Sequence, residues 1–141
     1  SNHQNKNYAM PTQANPIKRA ERYMARAHAL LSEKAGRDGR LYSNRKYVKL
    51  AGNAAWKGVL VALDAVLDVK SDLKNDQLPY FKDYLAAATK KDEKIYALLL
   101  TAHDGLNYAM SGDGNLSYIL SQTALSMGKD VIAWCEKIYT P

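Results

Sequence analysis

The sequence predicts an all-α fold, an up-and-down bundle of four helices whose third helix is bent or split. Two observations carry this prediction. Apolar residues recur at spacings of three and four through four long segments, which is the period of a helix with a buried side. No segment alternates apolar and polar residues as a half-buried strand would, and the connections are short, which favours antiparallel neighbours.

The composition indicates one compact domain over residues 15–141. The chain has 141 residues, of which 47% are hydrophobic and 24% charged, whereas disordered chains are poorer in hydrophobic residues. Residues 1–14 are polar, lack the apolar stretch of a secretory signal and are expected to form a flexible arm. The lone cysteine and the absence of an apolar run of about 20 residues predict a soluble cytoplasmic protein without a membrane partner.

The first helix is predicted to begin at Asn15 and Pro16, a side chain able to cap the helix followed by proline at the first helical position. Gly36 is expected to end it. Its apolar side comprises Ala20, Tyr23, Met24, Ala27, Leu30 and Leu31.

Basic residues are concentrated early in the chain. Residues 1–50 carry eleven Lys and Arg against three Asp and Glu, whereas residues 51–141 carry nine against eleven. The predicted anion-binding or nucleic-acid-binding face consists of Lys18, Arg19, Arg22, Arg26, Arg37, Arg40 and Arg45. Such side chains could hold phosphates, and the nearby Tyr42 and Tyr47 could stack on bases. A solvated helix face is the alternative interpretation.

The second helix, predicted from about Ser43 to about Asp68, is apolar on two sides. One stripe contains the small residues Ala51, Ala54, Ala55, Gly58, Ala62 and Ala65. The other contains the large residues Trp56, Leu60, Leu63 and Leu67. A helix that is apolar on two sides is buried on two sides, so the second side must meet a further helix or a second subunit. We expect the large stripe to form a homodimer face, because an exposed apolar patch promotes association; the pattern leaves open which stripe faces the core.

The third helix is predicted to follow Pro79 and to continue to about Met110. The spacing of Thr89 and Asp92 resembles a capping box and predicts a bend between them. Two glycines within residues 111–115 then break the helical period. The last helix is predicted from about Leu116 to about Tyr139, with Asn115 or Ser117 as its N-cap. Its inward residues are expected to be Leu120, Ala124, Met127, Val131, Cys135 and Ile138.

The most chemistry-like cluster contains His103, Asp104, Asn107 and Asp113. A general base needs an orienting partner and a nucleophile within hydrogen-bond reach. Asp104 is adjacent in sequence but points about 100° away from His103 around a helix. His103 is therefore predicted to be a partly buried histidine, and His28 at the border of the first helix is expected to be the same. A hydrolytic enzyme built around His103 is the minor alternative.

Asp113 and Asn115 begin a segment that imitates a calcium-binding loop. The sixth position of such a loop requires glycine and the twelfth glutamate, where this chain has Tyr118 and Ala124. A turn between two helices is the better interpretation.

No catalytic, cofactor-binding or metal-ligating residues are predicted. The chain has one cysteine and lacks the paired Glu and His motifs of zinc and di-iron sites. Its only Gly-Lys pair, Gly128 and Lys129, lies in a helical pattern without a glycine-rich loop before it. Cys135 occupies an inward position and is predicted to be a core residue.

Three segments together resemble the HEPN-type helical bundles: KLAGNAAWKGVLVAL in the second helix, YAMSGDG at the end of the third and DVIAWCEKIY in the last. The resemblance covers roughly residues 16–139. It implies a bundle of four or five helices that often dimerises; some such families are toxin ribonucleases and others are partners of nucleotidyltransferases. The ribonuclease members carry an Arg followed four to six residues later by a His, near the loop before the last helix.

This chain departs from the ribonuclease pattern. It has no arginine after Arg45, so His103 lacks the partner. Arg22 and His28 have the right spacing but lie in the first helix, about 120° apart around it. The resemblance therefore implies a non-catalytic member. We expect a non-enzymatic interaction or accessory protein that forms a homodimer and contacts a protein partner; the alternative is a nucleic-acid-binding or nucleotide-binding module that uses the arginine-rich side of the first helix.

Overall fold

The computed structural model describes residues 15–70, 73 and 77–141 of the chain. Within them lie five α-helices: α1 (Pro16–Glu33), α2 (Arg45–Val66), α3 (Phe81–Lys91), α4 (Ile95–His103) and α5 (Tyr118–Ile138). A π-helical segment (Asp104–Gly112) continues α4, and two short antiparallel strands, β1 (Arg37–Asp38) and β2 (Leu41–Tyr42), form a hairpin between α1 and α2. The predicted all-α bundle is confirmed. The arm predicted for residues 1–14 lies outside the described residues.

The small stripe of α2 brings neighbouring backbones close. A Cβ atom on Gly58, in the second half of α2, would lie 2.8 Å from the carbonyl oxygen of Ala20, near the start of α1, so the two helices run antiparallel. A Cβ atom on Gly52 would lie 2.6 Å from the carbonyl oxygen of Leu106 in the π-helical segment. These glycines therefore allow α1 and the π-helical segment to pack directly against the backbone of α2.

The large stripe of α2 is buried as well. Trp56, Leu63 and Leu67 are 7%, 0% and 8% exposed, and Leu60 is half-buried against the core. Trp56 makes edge contacts with the rings of Phe81 and His103. The prediction that these four residues form an exposed dimer face is therefore wrong, because α2 is the central helix and other helices of the same chain cover both of its apolar sides. A homodimer as such stays a prediction.

The third predicted helix is split, and the break lies at Asp92 between α3 and α4. Asp92 Oδ1 accepts a hydrogen bond from the Lys94 amide, and Asp92 Oδ2 accepts one from Trp134 Nε1 of α5. Thr89 does not cap the new helix; its hydroxyl donates to the Leu85 carbonyl within α3. The break was predicted at the right place, but the Asp92 carboxylate holds the turn before α4 and no side chain caps that helix.

Most helix ends follow local sequence. The predicted caps Asn15 and Ser117 accept hydrogen bonds from backbone amides of the helices that they begin. α2 is capped by Asn44, one residue after the predicted Ser43. Gly36, with a φ of 68°, turns the chain into the β-hairpin beyond the end of α1.

α5 closes the bundle with a buried side centred on Gly128. A Cβ atom there would lie 2.9 Å from Leu106 Cδ1 and from Met24 Cε, and 3.5 Å from Val59 Cγ2. The core thus lies where α1, α2, α5 and the π-helical segment meet. The prediction that Ile138 faces inward is wrong: this last residue of α5 is 39% exposed.

Candidate functional site

His103 has both polar and aromatic partners. Its Nδ1 lies 3.4 Å from Asp104 Oδ1, and its Nε2 lies 3.3 Å from Asn107 Nδ2. The Phe81 ring stacks on the imidazole with centroids 3.8 Å apart and planes 7° apart, and Trp56 meets it edge-on at 5.1 Å.

These contacts confirm that His103 is partly buried. They also correct one expectation, since the Asp104 carboxylate lies near His103 although the two residues start from different sides of the helix. At 3.4 Å this contact is long for a hydrogen bond. Within the described part of the chain no hydroxyl or thiol is hydrogen-bonded to His103. His103 therefore packs against aromatic rings at the junction of α4 and the π-helical segment, and these contacts account for its position.

Cys135 lies in the core, as predicted, with no exposed surface. Burial raises the pKa of its thiol to about 12, so the sulfur stays protonated at neutral pH. Among residues 15–70, 73 and 77–141 no three His, Cys, Asp or Glu side chains come together as a metal site would require. None of the helices described there combines the length and apolar character needed to cross a bilayer.

The predicted basic face divides into two groups, of which the first lies on α1. Arg19, Arg22 and Arg26 line a groove of about 320 Å³ together with Tyr23. Beyond Tyr23 and Arg26 the surface continues into a depression of about 160 Å³ between α1 and α2, which Lys57 borders. We call these five residues the basic groove.

None of the carboxylates in the described part of the chain is a counter-ion for the cations of the basic groove. Across the described residues, Lys18 and Glu21 form the one pair between a Lys or Arg and a carboxylate, with Nζ 3.6 Å from Oε1. Both members of that pair are largely exposed, so the pair contributes little stability. The guanidinium groups of the groove therefore face solvent or an anionic ligand.

Tyr23 holds the centre of the groove in a fixed position. The side chain is half-buried, and a Cβ atom on Gly58 would lie 2.9 Å from Tyr23 Cβ. The backbone of α2 therefore packs against Tyr23 Cβ, and the tyrosine side chain lines both depressions. Sequence reasoning assigned Tyr23 to the apolar side of the helix and missed Lys57, whose place beside α1 depends on how the two helices pack.

The second group of arginines contributes to packing around the hairpin. The Arg37 guanidinium lies 3.6 Å above the centre of the Tyr118 ring and donates to the Gly39 carbonyl at 2.8 Å. Arg45 fills the space beside Gly114, which has no room for a Cβ atom. These contacts hold the hairpin and the start of α2 against the turn before α5. Arg40 is exposed.

The prediction that Tyr42 could stack on a base is wrong. Tyr42 is 3% exposed, and its hydroxyl accepts a hydrogen bond from Gln122 Nε2 of α5. The cause is the hairpin itself: the Tyr42 amide donates to the Leu116 carbonyl, which draws the ring under the start of α5. Tyr47 is half-buried, with Lys46 Nζ 5.4 Å from its ring centre, and its contact with bases stays a prediction.

His28 lies half-buried, as expected, in a separate cleft of about 520 Å³ between α1 and α5. Burial lowers the pKa of its imidazole, and the Lys129 ammonium lowers it further. The side chain is therefore neutral at pH 7.

Within the described residues, the protein is an up-and-down helical bundle that carries a groove of cations without paired carboxylates. Residues 15–137 match the model of a family described as a domain of unknown function, DUF5618, and the chain belongs to this family. It is also similar to a solved structure, a protein of unknown function from Dyadobacter fermentans. That match has a TM-score of 0.78 and 27% identity, and covers 86% of this chain and 94% of that one. None of the curated proteins compared with the chain matches it. The resemblance to HEPN-type bundles stays a prediction.

Proposed function

We propose that the protein is a non-catalytic binding module that takes single-stranded nucleic acid in the basic groove. The observation that carries the proposal is the grouping of four cations from two helices around Tyr23, with no carboxylate of the described residues paired to any of them. An anionic ligand would supply the missing counter-charges.

Arginine suits this role because its planar guanidinium can bind phosphate through two parallel hydrogen bonds. Arg19, Arg22 and Arg26 extend along about 10 Å of helix at 1.5 Å per residue. They can therefore contact successive phosphates of one strand. Phosphate contacts of this kind supply affinity without reading sequence.

Tyr23 favours a single strand over a duplex. Aromatic side chains bind single strands by stacking on unpaired bases, which a duplex does not offer. The depression beside Tyr23 has apolar walls from Leu30, Leu50 and Ala54. A base resting on the tyrosine would find apolar surface there while its phosphates lie against the arginines.

A protein partner is the competing occupant. The expected self-association depended on the large stripe of α2, and that stripe is buried. An acidic protein segment would use the same cations as a nucleic acid, but it would gain nothing from stacking on Tyr23. A substitution of Tyr23 should therefore distinguish a nucleic-acid ligand from an acidic protein segment.

Fluorescence anisotropy with a labelled single-stranded oligonucleotide at low salt tests the proposal. Reversal of three groove charges (Arg19→Glu, Arg22→Glu, Arg26→Glu) is expected to abolish binding while the helical circular dichroism is retained. The matched control reverses three exposed charges of α3 (Lys82→Glu, Lys90→Glu, Lys91→Glu) and changes the net charge equally. Equal losses in both variants, or no binding by the native protein, would contradict the groove as a nucleic-acid site.

A further inference from the structure

The cleft between α1 and α5 is built from one repeating face of each helix. Its α1 wall follows the spacing i, i+3, i+4, i+7 with Glu21, Met24, Ala25 and His28. Its α5 wall follows the same spacing with Lys129, Ile132, Ala133 and Glu136. Residues so spaced lie on one side of a helix, so both helices present a continuous wall to the same space.

The cleft has an apolar floor and small residues at its rim. Met24 and Ile132 are 3% and 4% exposed and form the floor. Ala25 and Ala133 are exposed, and their short side chains leave the space open. The volume of about 520 Å³ is in the range of pockets that hold small molecules.

The two ends of the cleft carry opposite charges. Lys129 near the middle of α5 lies close to His28 in the second half of α1, and both helices line one cleft. The two helices therefore run antiparallel, and Glu21 from the first half of α1 lies at the same end as Glu136 from the last turns of α5. His28 and Lys129 lie at the other end, where Lys129 acts on the imidazole. One end therefore carries two carboxylates, of which Glu21 also contacts Lys18 Nζ at 3.6 Å. The other end presents an ammonium and an imidazole, and about 10 Å of helix separates the two ends.

His28 has unsatisfied hydrogen-bonding capacity at the basic end. Neither of its ring nitrogens has a partner within the described residues, and Nε2 is buried. A polar group in such a position costs free energy unless something pairs with it. The imidazole lines this cleft, and none of the described residues pairs with its ring nitrogens.

We propose that this cleft binds a small zwitterionic molecule with an apolar body. The ligand's ammonium group would lie between Glu21 and Glu136, and its carboxylate would meet Lys129 at the end of the cleft that His28 lines. The apolar body would rest on Met24 and Ile132. This site is separate from the basic groove and does not depend on nucleic-acid binding.

The concave shape of the cleft disfavours a second copy of the chain as its ligand. Two concave faces placed against each other would leave their spaces as a shared void, and voids forfeit contact energy. A long partner helix fits less well than a small molecule because charged groups bracket the apolar floor at both ends. A ligand whose charged groups pair with both ends of the cleft must be about as long as the cleft.

Nuclear magnetic resonance of the full chain tests the site, with ε-aminocaproate as the probe. Saturable shifts are expected at the amides of Ala25, His28 and Ala133. Hexylamine and caproate, which each keep one charged end, are expected to bind roughly fivefold more weakly, the effect of losing one exposed ion pair. Equally tight binding by either of them, or no saturable shift with the zwitterion, would overturn the proposal.

Two variants with matched controls place the probe. Ala133→Trp fills the cleft and should abolish the shifts, whereas Ala97→Trp, at an exposed alanine of α4, should leave them unchanged. Lys129→Glu reverses the basic end and should weaken binding, whereas Lys137→Glu, elsewhere on α5, should not. Binding that survives both cleft variants would show that the probe lies elsewhere and would overturn the site.

Discussion

Trp134 Nε1 of α5 donates a hydrogen bond of 2.9 Å to Asp92 Oδ2, at the break between α3 and α4. The same carboxylate accepts a hydrogen bond of 3.0 Å from the Lys94 amide in the turn before α4. One side chain thus holds the turn between two helices and attaches it to a helix 42 residues further along the chain.

Trp134→Phe is expected to lower the melting temperature, because the indole donor is lost while the ring's packing is largely kept. The hydrogen bond from Trp134, followed by that from the Lys94 amide, lowers the pKa of Asp92 below its usual 3.8. A carboxyl group whose pKa is lower in the folded state than in the unfolded chain stabilises the fold at pH values above its unfolded pKa. This contribution is lost as pH falls through its folded pKa. Native and variant proteins should therefore differ at pH 7 and converge as pH falls below the folded pKa of Asp92.

Thermal unfolding followed by circular dichroism measures both effects. Asp92→Asn is the companion variant, since the amide oxygen can still accept from the indole but carries no charge. A difference between native protein and Trp134→Phe that does not change with pH would show that the indole acts through packing and not through the carboxylate.

Sequence alone predicted the features that depend on neighbouring residues. Asn15 and Ser117 cap their helices because a short polar side chain lies just before an amphipathic run. The break near Asp92 also followed from local spacing. The hydrogen bond from Trp134 could not be predicted, because it depends on where α5 packs.

The candidate site was harder to predict than the fold. Both stripes of α2 were predicted from the sequence. Periodicity does not show whether a stripe packs against another helix of the chain or against a second subunit. Trp56 packs against Phe81 of α3 and His103 of α4. Tyr42 was misjudged because a hairpin of two-residue strands has almost no sequence signature. Lys57 was missed because its approach to Arg26 depends on the close contact at Gly58.

Gly58→Ala is expected to destabilise the protein by roughly 1–3 kcal/mol, the usual cost of overpacking a tight interface. The new methyl group would lie 2.8 Å from the Ala20 carbonyl oxygen and 2.9 Å from Tyr23 Cβ, so α1 must move away from α2. Urea unfolding measures the change. Gly112→Ala is the matched control, because its methyl group would meet nothing closer than Asn107 O at 3.5 Å. Equal effects of the two substitutions would contradict close packing as the cause.

His28 is expected to make the protein less stable in mild acid. Burial first, and then Lys129, lowers the pKa of the imidazole below 6.5 in the folded state. At pH values between the folded and unfolded pKa of His28, the unfolded chain binds more protons than the folded protein. The free energy of unfolding is therefore highest above pH 6.5 and decreases as pH falls through the folded pKa. Urea unfolding at several pH values should show this slope.

His28→Gln removes this titration and should flatten the slope in that pH range. The carboxylates of Glu21 and Glu136 and the ammonium of Lys129 share the cleft, so Glu136→Gln tests whether an acid at the far end contributes. If His28→Gln leaves the pH dependence unchanged, other groups cause the acid sensitivity.

The salt dependence of nucleic-acid binding should reveal the three arginines of the basic groove. Each phosphate contact on a single strand contributes a slope of about −0.7 to log affinity against log salt, so three contacts give about −2.1. Arg22→Gln should reduce the slope by roughly one contact. A native slope near zero would show that phosphates are not the groups recognised.

Tyr23 should distinguish nucleic acid from an acidic protein segment. Stacking of one base on an aromatic side chain is worth about 1–3 kcal/mol, so Tyr23→Leu is expected to weaken binding of a single-stranded oligonucleotide by roughly 5- to 150-fold. Tyr23→Phe keeps the ring and should bind within about twofold of the native protein. Binding of polyglutamate, which has charge but no bases, should be the same for all three proteins. Anisotropy titrations at one salt concentration measure these affinities. If Tyr23→Leu weakens polyglutamate and oligonucleotide equally, the tyrosine acts by shaping the groove, and single-strand stacking is refuted.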